Sequence, residues 1–243
     1  MAFLPTTIKE VRALGWDYID VILFTGDAYI DHPAFGAAVI GRVLEAEGYR
    51  VAVLAQPDWH SADAFTAMGR PRYGALIGAG NLDSMVAHYT AAKKRRSDDA
   101  YSPGRRAGLR PDHAVIVYAN RVREAFPDLP VVIGGLEASL RRFSHYDYWE
   151  DKVRRPVLVD SGADLLVYGM GETATIEIAK RLSKGIKPSE IKDVRGSGYL
   201  TADFEECKFD KVWCASYDDV CRDKKSYAKS NMIQYDEHDP VRG

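Results

Sequence analysis

Two stretches of this chain run from an apolar strand straight into glycine and then into a helix, and that pattern constrains the fold more than any other. Residues 163–172 read Ala-Asp-Leu-Leu-Val-Tyr-Gly-Met-Gly-Glu, with a helix expected over 173–184. Earlier, residues 131–139 read Val-Val-Ile-Gly-Gly-Leu-Glu-Ala-Ser. In an open α/β sheet such breaks lie at the carboxyl ends of the strands, where ligands bind.

Strand-like and helix-like segments alternate along most of the chain. Strands are expected at residues 19–24, 50–54, 74–77, 114–118, 131–133 and 164–168. A helix fits 33–47, where Pro33 suits a first turn and Gly48 an end. Another is expected after Asn81 as its N-cap, with Leu82, Met85, Val86 and Tyr89 along one side. A short helix at 121–126 is stopped by Pro127. Short strands, apolar on both faces and separated by helices, predict a doubly wound, mainly parallel α/β sheet covered on both sides. Gly26, Gly78, Gly134 and Gly169 follow four of the six expected strands. Glycine there makes tight turns and lets backbone and ligand approach closely. Beyond residue 186 the pattern weakens to a short helix start at 187–191, a turn at 196–199 and one helix within 216–234. Residues 1–200 are therefore expected to form the α/β domain, and 201–243 a helical C-terminal extension. The final residues, 238–243, carry neither a core strand nor a clear cap, so the ending reads as a cut.

Charge and composition narrow the function. Lysine and arginine number 33 against 35 acidic residues, so no global field recruits nucleic acid or anionic lipid. No apolar run reaches the roughly 18 residues of a membrane span, and the N-terminus lacks the regions of a signal peptide. A cytoplasmic protein without a membrane partner is expected. Cys207, Cys214 and Cys221 lack the short spacing of zinc-binding pairs, so no metal site is read from them. A disulfide is not expected in a reducing compartment. No Gly-x-Gly-x-x-Gly follows the first strand, and the P-loop pattern is absent. No nucleophile–base pairing is readable from spacing, so an independent enzyme using Asp27, His32 or Glu137 as acid or base ranks last.

The strand ends define a candidate crevice for a small-molecule ligand or cofactor, lined by Thr25, Gly26, Asp27, Gly78, Asn81, Gly134, Gly135, Glu137, Gly169 and Glu172. Glu137 and Glu172 are read either as acceptors for a ribose or amide, or as acids placed at the positive end of a following helix. A second set, for substrate or interface contact, comes from two charged segments. Lys94, Arg95, Arg96 and Arg105 lie in the run 93–106, and Arg141, Arg142, Tyr146 and Trp149 in the run 141–149. Arginine interleaved with aromatic rings can stack on bases; an interface or a substrate lid is favoured over nucleic acid.

Gly134-Gly135 with Ala138-Ser139, and Asp164 with Gly169-Met170-Gly171-Glu172, resemble the late strand ends of the cobalamin-binding-type domain that precedes many radical SAM cores. More closely, the chain resembles the N-terminal region of the YgiQ-like radical SAM proteins. The matching strings are Phe3-Leu4-Pro5-Thr6-Thr7, Thr25-Gly26-Asp27-Ala28-Tyr29-Ile30-Asp31-His32-Pro33 and His88-Tyr89-Thr90 with 93–104. Residues 141–149 and the closing Asp239-Pro240-Val241-Arg242-Gly243 match as well. The resemblance implies a Rossmann-like fold of the cobalamin-binding-domain type, with a corrinoid site as one implication. For full-length relatives it implies a core that binds a 4Fe-4S cluster through Cys-x-x-x-Cys-x-x-Cys and cleaves S-adenosylmethionine. This chain contains no such motif, so no cluster ligand carries over, and the chain alone is expected to lack radical activity. Asp31 and His32 are adjacent, which departs from the Asp-x-His-x-x-Gly signature of cobalt-binding domains. The expected role is to position a substrate or cofactor for a core in cis. The alternative is a stand-alone module binding RNA or protein through its basic and aromatic loops.

Overall fold

The computed structural model describes residues 3–205 and 207–238, so the closing pentapeptide and the expected cut lie outside the described residues. The first half runs α1 (Ile8–Ala13), β1 (Val21–Thr25), α2 (Gly36–Ala46), β2 (Val51–Ala55), β3 (Gly74–Gly78), α3 (Ser84–His88) and α4 (Ala114–Ala125). It continues β4 (Val131–Gly134), α5 (Gly135–Leu140), β5 (His145–Asp147), β6 (Lys152–Arg154) and α6 (Val157–Ser161). Last come β7 (Leu165–Val167), α7 (Glu172–Ser183), β8 (Ser197–Tyr199), α8 (Tyr217–Arg222) and α9 (Lys224–Glu237).

Six strands form one sheet in the order β2-β1-β3-β4-β7-β8. Every pairing is parallel except β7 with β8, which is antiparallel. Successive side chains on a strand point to opposite faces, and both faces are buried. Ile22, Phe24, Ile77 and Ile133 pack with Tyr118 and Val122 of α4. Leu23, Val53, Leu76 and Val132 pack with Leu44 of α2 and Ile178 of α7. Burial on two sides is why these strands read as continuous apolar runs. The register sets the ends level: Thr25 stands opposite Ala55 and Gly78, and Gly78 opposite Gly134. At the β2 edge, the Val53 N–H donates to the Pro5 carbonyl at 2.9 Å, so the N-terminal segment covers that edge.

Five of the expected strands are present with small shifts of their ends, and the helix expected at 33–47 is the shorter α2. The sixth differs. Residues 114–118, expected as a strand, are the first turns of α4, which also absorbs the expected short helix at 121–126. Ala114, Val115, Tyr118, Ala119 and Val122 are buried at helical spacing; a five-residue apolar run taken alone cannot distinguish the two periods. The sheet's sixth strand is instead β8, in the segment expected as a turn. Asp83, not Asn81, caps α3: its Oδ1 accepts the Met85 N–H at 2.9 Å. Asn81 donates its side-chain amide to the Ala34 carbonyl at 3.0 Å. The single helix expected at 216–234 is α8 and α9, divided at Asp223, whose carboxylate accepts the N–H groups of Lys225 and Ser226. No helix among the described residues is long and apolar enough to cross a membrane.

Candidate functional site

The carboxyl ends of β1, β3, β4 and β7 open into a cleft between the sheet and helices α2 and α7, with a volume of about 290 Å3. Its walls are Leu23, Leu76, Val132 and Val167 from the strands, Val39 and Ile40 from α2, and Thr175 from α7. Glycine opens it. A Cβ built on Gly36, at the start of α2, meets nothing within 4 Å, so the missing side chain leaves room there. Gly135 (φ +81°) and Gly169 (φ +68°) turn the chain from β4 and β7 through the left-handed region, which disfavours other residues. No lysine, arginine or histidine lines the cleft among the described residues.

Eight of the ten residues expected at a crevice line it: Thr25, Asp27, Gly78, Asn81, Gly134, Gly135, Gly169 and Glu172. Gly26 and Glu137 do not. A side chain at Gly26 would overlap the Ala79 carbonyl, so this glycine serves a close backbone crossing of β1 and β3. Glu137, read from sequence either as a ribose or amide acceptor or as an acid at the positive end of a following helix, is buried and structural, serving the starts of two other helices. Its Oε2 accepts the Ser84 N–H at 2.8 Å and its Oε1 the Val115 N–H at 3.0 Å. Those amides belong to the first turns of α3 and α4, so one carboxylate on α5 satisfies two helix starts. Burial, reinforced by nearby Asp83, pushes its carboxyl above the usual range.

Asp27 is both lining and structure. Its Oδ2 accepts the Asn81 N–H at 2.7 Å, and Arg110 Nη1 stands 2.9 Å from its Oδ1. Burial pushes Asp27 upward, and these partners offset it only in part. Arg110 is fully buried. It also donates to Asp99 through Nε (3.0 Å) and Nη2 (2.7 Å) and to the Ala79 carbonyl at 3.1 Å. Burial pushes Asp99 up as well, but the Tyr101 N–H, Arg110 and Ser102 together outweigh it and hold that carboxyl below its usual range. Sequence reasoning missed Arg110, and nothing local distinguishes it from its exposed neighbours Arg105 and Arg106.

The second expected set divides. Arg141 is buried, donating Nε to Asp83 at 2.8 Å and Nη1 to Asp147 at 3.3 Å, so it ties α3 to the β5–β6 hairpin. Arg142 lies over the rings of Phe143 and Tyr168 and donates to the Ser139 carbonyl. Tyr146 is exposed, Trp149 half-buried, and Lys94, Arg95, Arg96 and Arg105 are exposed, Arg105 donating to Asp98 at 3.0 Å.

One cluster has the composition of a metal site. Donor atoms of His113, Asp147 and Glu150 lie within 4.8 Å of one another. However, Arg154 Nη1 stands 3.2 Å from His113 Nε2 and 2.9 Å from Glu150 Oε1, while Arg141 engages Asp147. Guanidinium groups already supply the positive charge. Burial pushes the His113 imidazole down, consistent with a neutral ring accepting from Arg154. The cysteines are free, and burial pushes the Cys214 thiol up. His32 is exposed, and its Nδ1 accepts the Ala34 N–H at 3.1 Å.

The Radical SAM N-terminal family matches residues 3–243. A UPF0313 protein of Clostridium botulinum (strain Kyoto / Type A2) is 52% identical over 243 residues, all of this chain and 38% of that relative. A UPF0313 protein of Clostridium perfringens (strain SM101 / Type A) is 52% identical over 241 residues, 99% of this chain and 36% of that relative. The chain thus spans less than two fifths of these curated relatives. Among solved structures, the radical S-adenosylmethionine methyltransferase TsrM from Kitasatospora setae, with cobalamin and a 4Fe-4S cluster bound, is similar with a TM-score of 0.48. The sequences are 21% identical, and the match covers 76% of this chain and 28% of that one.

Proposed function

The chain belongs to the Radical SAM N-terminal family, and on that premise we propose that it holds a ligand at the carboxyl edge of its sheet for a radical SAM core elsewhere in a longer polypeptide. The observation that carries this reading is the cleft: apolar, free of cationic side chains, and opened by glycine where four strands end. The length of the relatives supports a core in cis. In this reading residues 1–200 are the ligand-holding unit and 201–243 the connection to the core. Cluster binding and S-adenosylmethionine cleavage belong to that core, since this chain has no Cys-x-x-x-Cys-x-x-Cys.

A corrinoid is one candidate ligand, and when bound it would supply organometallic chemistry at cobalt. The lining offers no imidazole, so no histidine ligand to cobalt would come from the cleft. Retention would rest on apolar contact with Leu23, Ile40, Leu76 and Val132, with Thr25, Asn81 and Glu172 as polar partners.

Titration with cobalamins, followed by corrinoid absorbance, tests this. Saturable binding is expected, weakened at least about tenfold by Gly36→Leu, because an isobutyl group there would take the place of buried ligand contacts worth roughly 0.8 kcal/mol per methylene. Gly36 is the better site than Gly134, where a Cβ would already stand 3.3 Å from the Val167 carbonyl and disturb the sheet. No binding by folded protein would remove the corrinoid. If S-adenosylmethionine and a set of small apolar ligands also failed to bind, the ligand-holding role itself would fall.

A further inference from the structure

The charged run and the hairpin, far apart in sequence, meet on one surface outside the cleft. Lys93 Nζ donates to the Trp149 carbonyl at 3.3 Å and stands 4.8 Å from the centre of the Tyr148 ring. The Tyr148 hydroxyl donates to the Ala91 carbonyl at 2.7 Å, and the rings of Tyr89 and Trp149 are 6.5 Å apart. Within the run the backbone doubles back, with antiparallel bridges from Tyr89 to Arg95 and from Asp98 to Arg106.

The charge on this ribbon is one-sided. Its two acids are engaged, Asp98 by Arg105 and Asp99 by buried Arg110. Nearby Asp112 is bonded by His88 and Tyr89, while Asp151 accepts only from the neutral Tyr146 hydroxyl and so remains an acid beside the hairpin rings. Lys94, Arg95, Arg96 and Arg106 are exposed and make no ion pair among the described residues; the Arg96 side chain donates to the Val86 carbonyl. The ribbon's root is fixed: Ser102 is bonded by Gln56 and Asp99, and the Ala28 N–H donates to the Tyr101 carbonyl. A ribbon already anchored at its root has less freedom to lose when a partner binds. Tyr148, beside the ribbon, is 45% exposed, and Tyr146, two residues back on the hairpin with its N–H on the Tyr227 hydroxyl, is 47% exposed.

We infer that the ribbon and hairpin form a binding surface for single-stranded RNA, with phosphates against Lys94, Arg95, Arg96 and Arg106 and bases against Tyr146 and Tyr148. The chain as a whole is nearly neutral, so the attraction is local to this surface. Unstacked bases present the flat faces that exposed rings take, whereas a duplex hides them. Tyrosine also serves protein interfaces, so an acidic protein is the competing occupant that the test separates. The inference is independent of what occupies the cleft.

The test is fluorescence anisotropy of the full chain with a labelled single-stranded oligouridylate across a salt series. Four phosphate contacts at about 0.7 each give a log–log salt slope of about 2.8, or about 50-fold weaker binding between roughly 50 mM and 200 mM salt. Neutralising Lys94, Arg95, Arg96 and Arg106 to glutamine is expected to abolish binding at low salt, with the melting curve unchanged. Arg95→Lys with Arg96→Lys should keep the slope, since the charges remain. Tyr146→Ala with Tyr148→Ala should weaken binding at least about tenfold, since stacking is worth roughly 1–3 kcal/mol per base. Absence of binding at low salt overturns the inference. So does equal binding of duplex RNA without loss in the tyrosine variant, which would be plain polyanion attraction. Equal binding of polyglutamate would assign the surface to an acidic protein and overturn the inference as well.

Discussion

Arg110→Ala is expected to destabilise the fold by about 3–5 kcal/mol, the cost of breaking a buried ion pair by removing one partner. The guanidinium is fully buried and faces two carboxylates, Asp27 and Asp99, together with the Ala79 carbonyl. Alanine would leave both carboxylates uncompensated and open a void the length of the side chain. Urea unfolding at neutral pH measures the loss as a lowered midpoint. The pH dependence supplies an independent check. Asp99, held low in the folded protein, contributes stability that is present above its unfolded pKa and lost as pH falls through its folded one. Asp27, pushed up, has the opposite sign: its contribution is present below its unfolded pKa and lost as pH rises through the folded value. Removing Arg110 takes away part of what keeps Asp99 ionised, the Tyr101 N–H and Ser102 remaining. The deficit of Arg110→Ala should therefore be largest at neutral pH and shrink as both acids take up protons. A midpoint within about 0.5 kcal/mol of the parent, the range of an ordinary surface substitution, would mean that the pair does not hold the loop.

Glu137→Ala should cost about 2–6 kcal/mol, because it orphans two buried N–H groups, Ser84 and Val115, at about 1–3 kcal/mol each. The loss should be cooperative, with amide exchange accelerating together in α3 and α4 rather than at α5 alone. Glu137→Gln retains one acceptor but turns an NH2 group toward the other donor, so it should be intermediate at neutral pH. Burial raises the Glu137 carboxyl, so its contribution is complete below its unfolded pKa and declines as pH rises through the folded one. The gap between parent and glutamine variant should accordingly narrow with rising pH across that window. Exchange confined to α5 would show that the carboxylate is not the common cap.

How far the sequence disclosed this arrangement depends on whether a feature is local. Residues 131–134 and 165–171 carry their own signal: β-branched and leucine runs that end in glycine, whose φ must turn positive at Gly135 and Gly169. Those positions were legible, and they line the cleft. Residues 114–118 carry no such signal, since Ala-Val-Ile-Val-Tyr suits either period and its helical state is set by what packs and caps it. Glu137 and Arg110 were illegible in another sense. Each residue type is common at surfaces and ligand sites, and only the tertiary fold encloses them against partners distant in sequence, Ser84 for one and Asp27 for the other. The blocks of charge in 93–106 disclosed a loop, but not its fixed root or its meeting with Tyr148 and Trp149.

The sheet's two flanks also bear on how the molecule behaves at high concentration. An open row of unpaired strand groups templates pairing with neighbouring chains, the route to fibrous aggregation. Here the β2 flank is occupied by the segment around Pro5, which has no N–H to offer a neighbour, and the opposite flank is β8, only three residues long and reversed in direction. A strand from another molecule finds little to extend on either side. Self-association through lengthening of this sheet is thereby discouraged, and crowding should leave its strands paired only with one another.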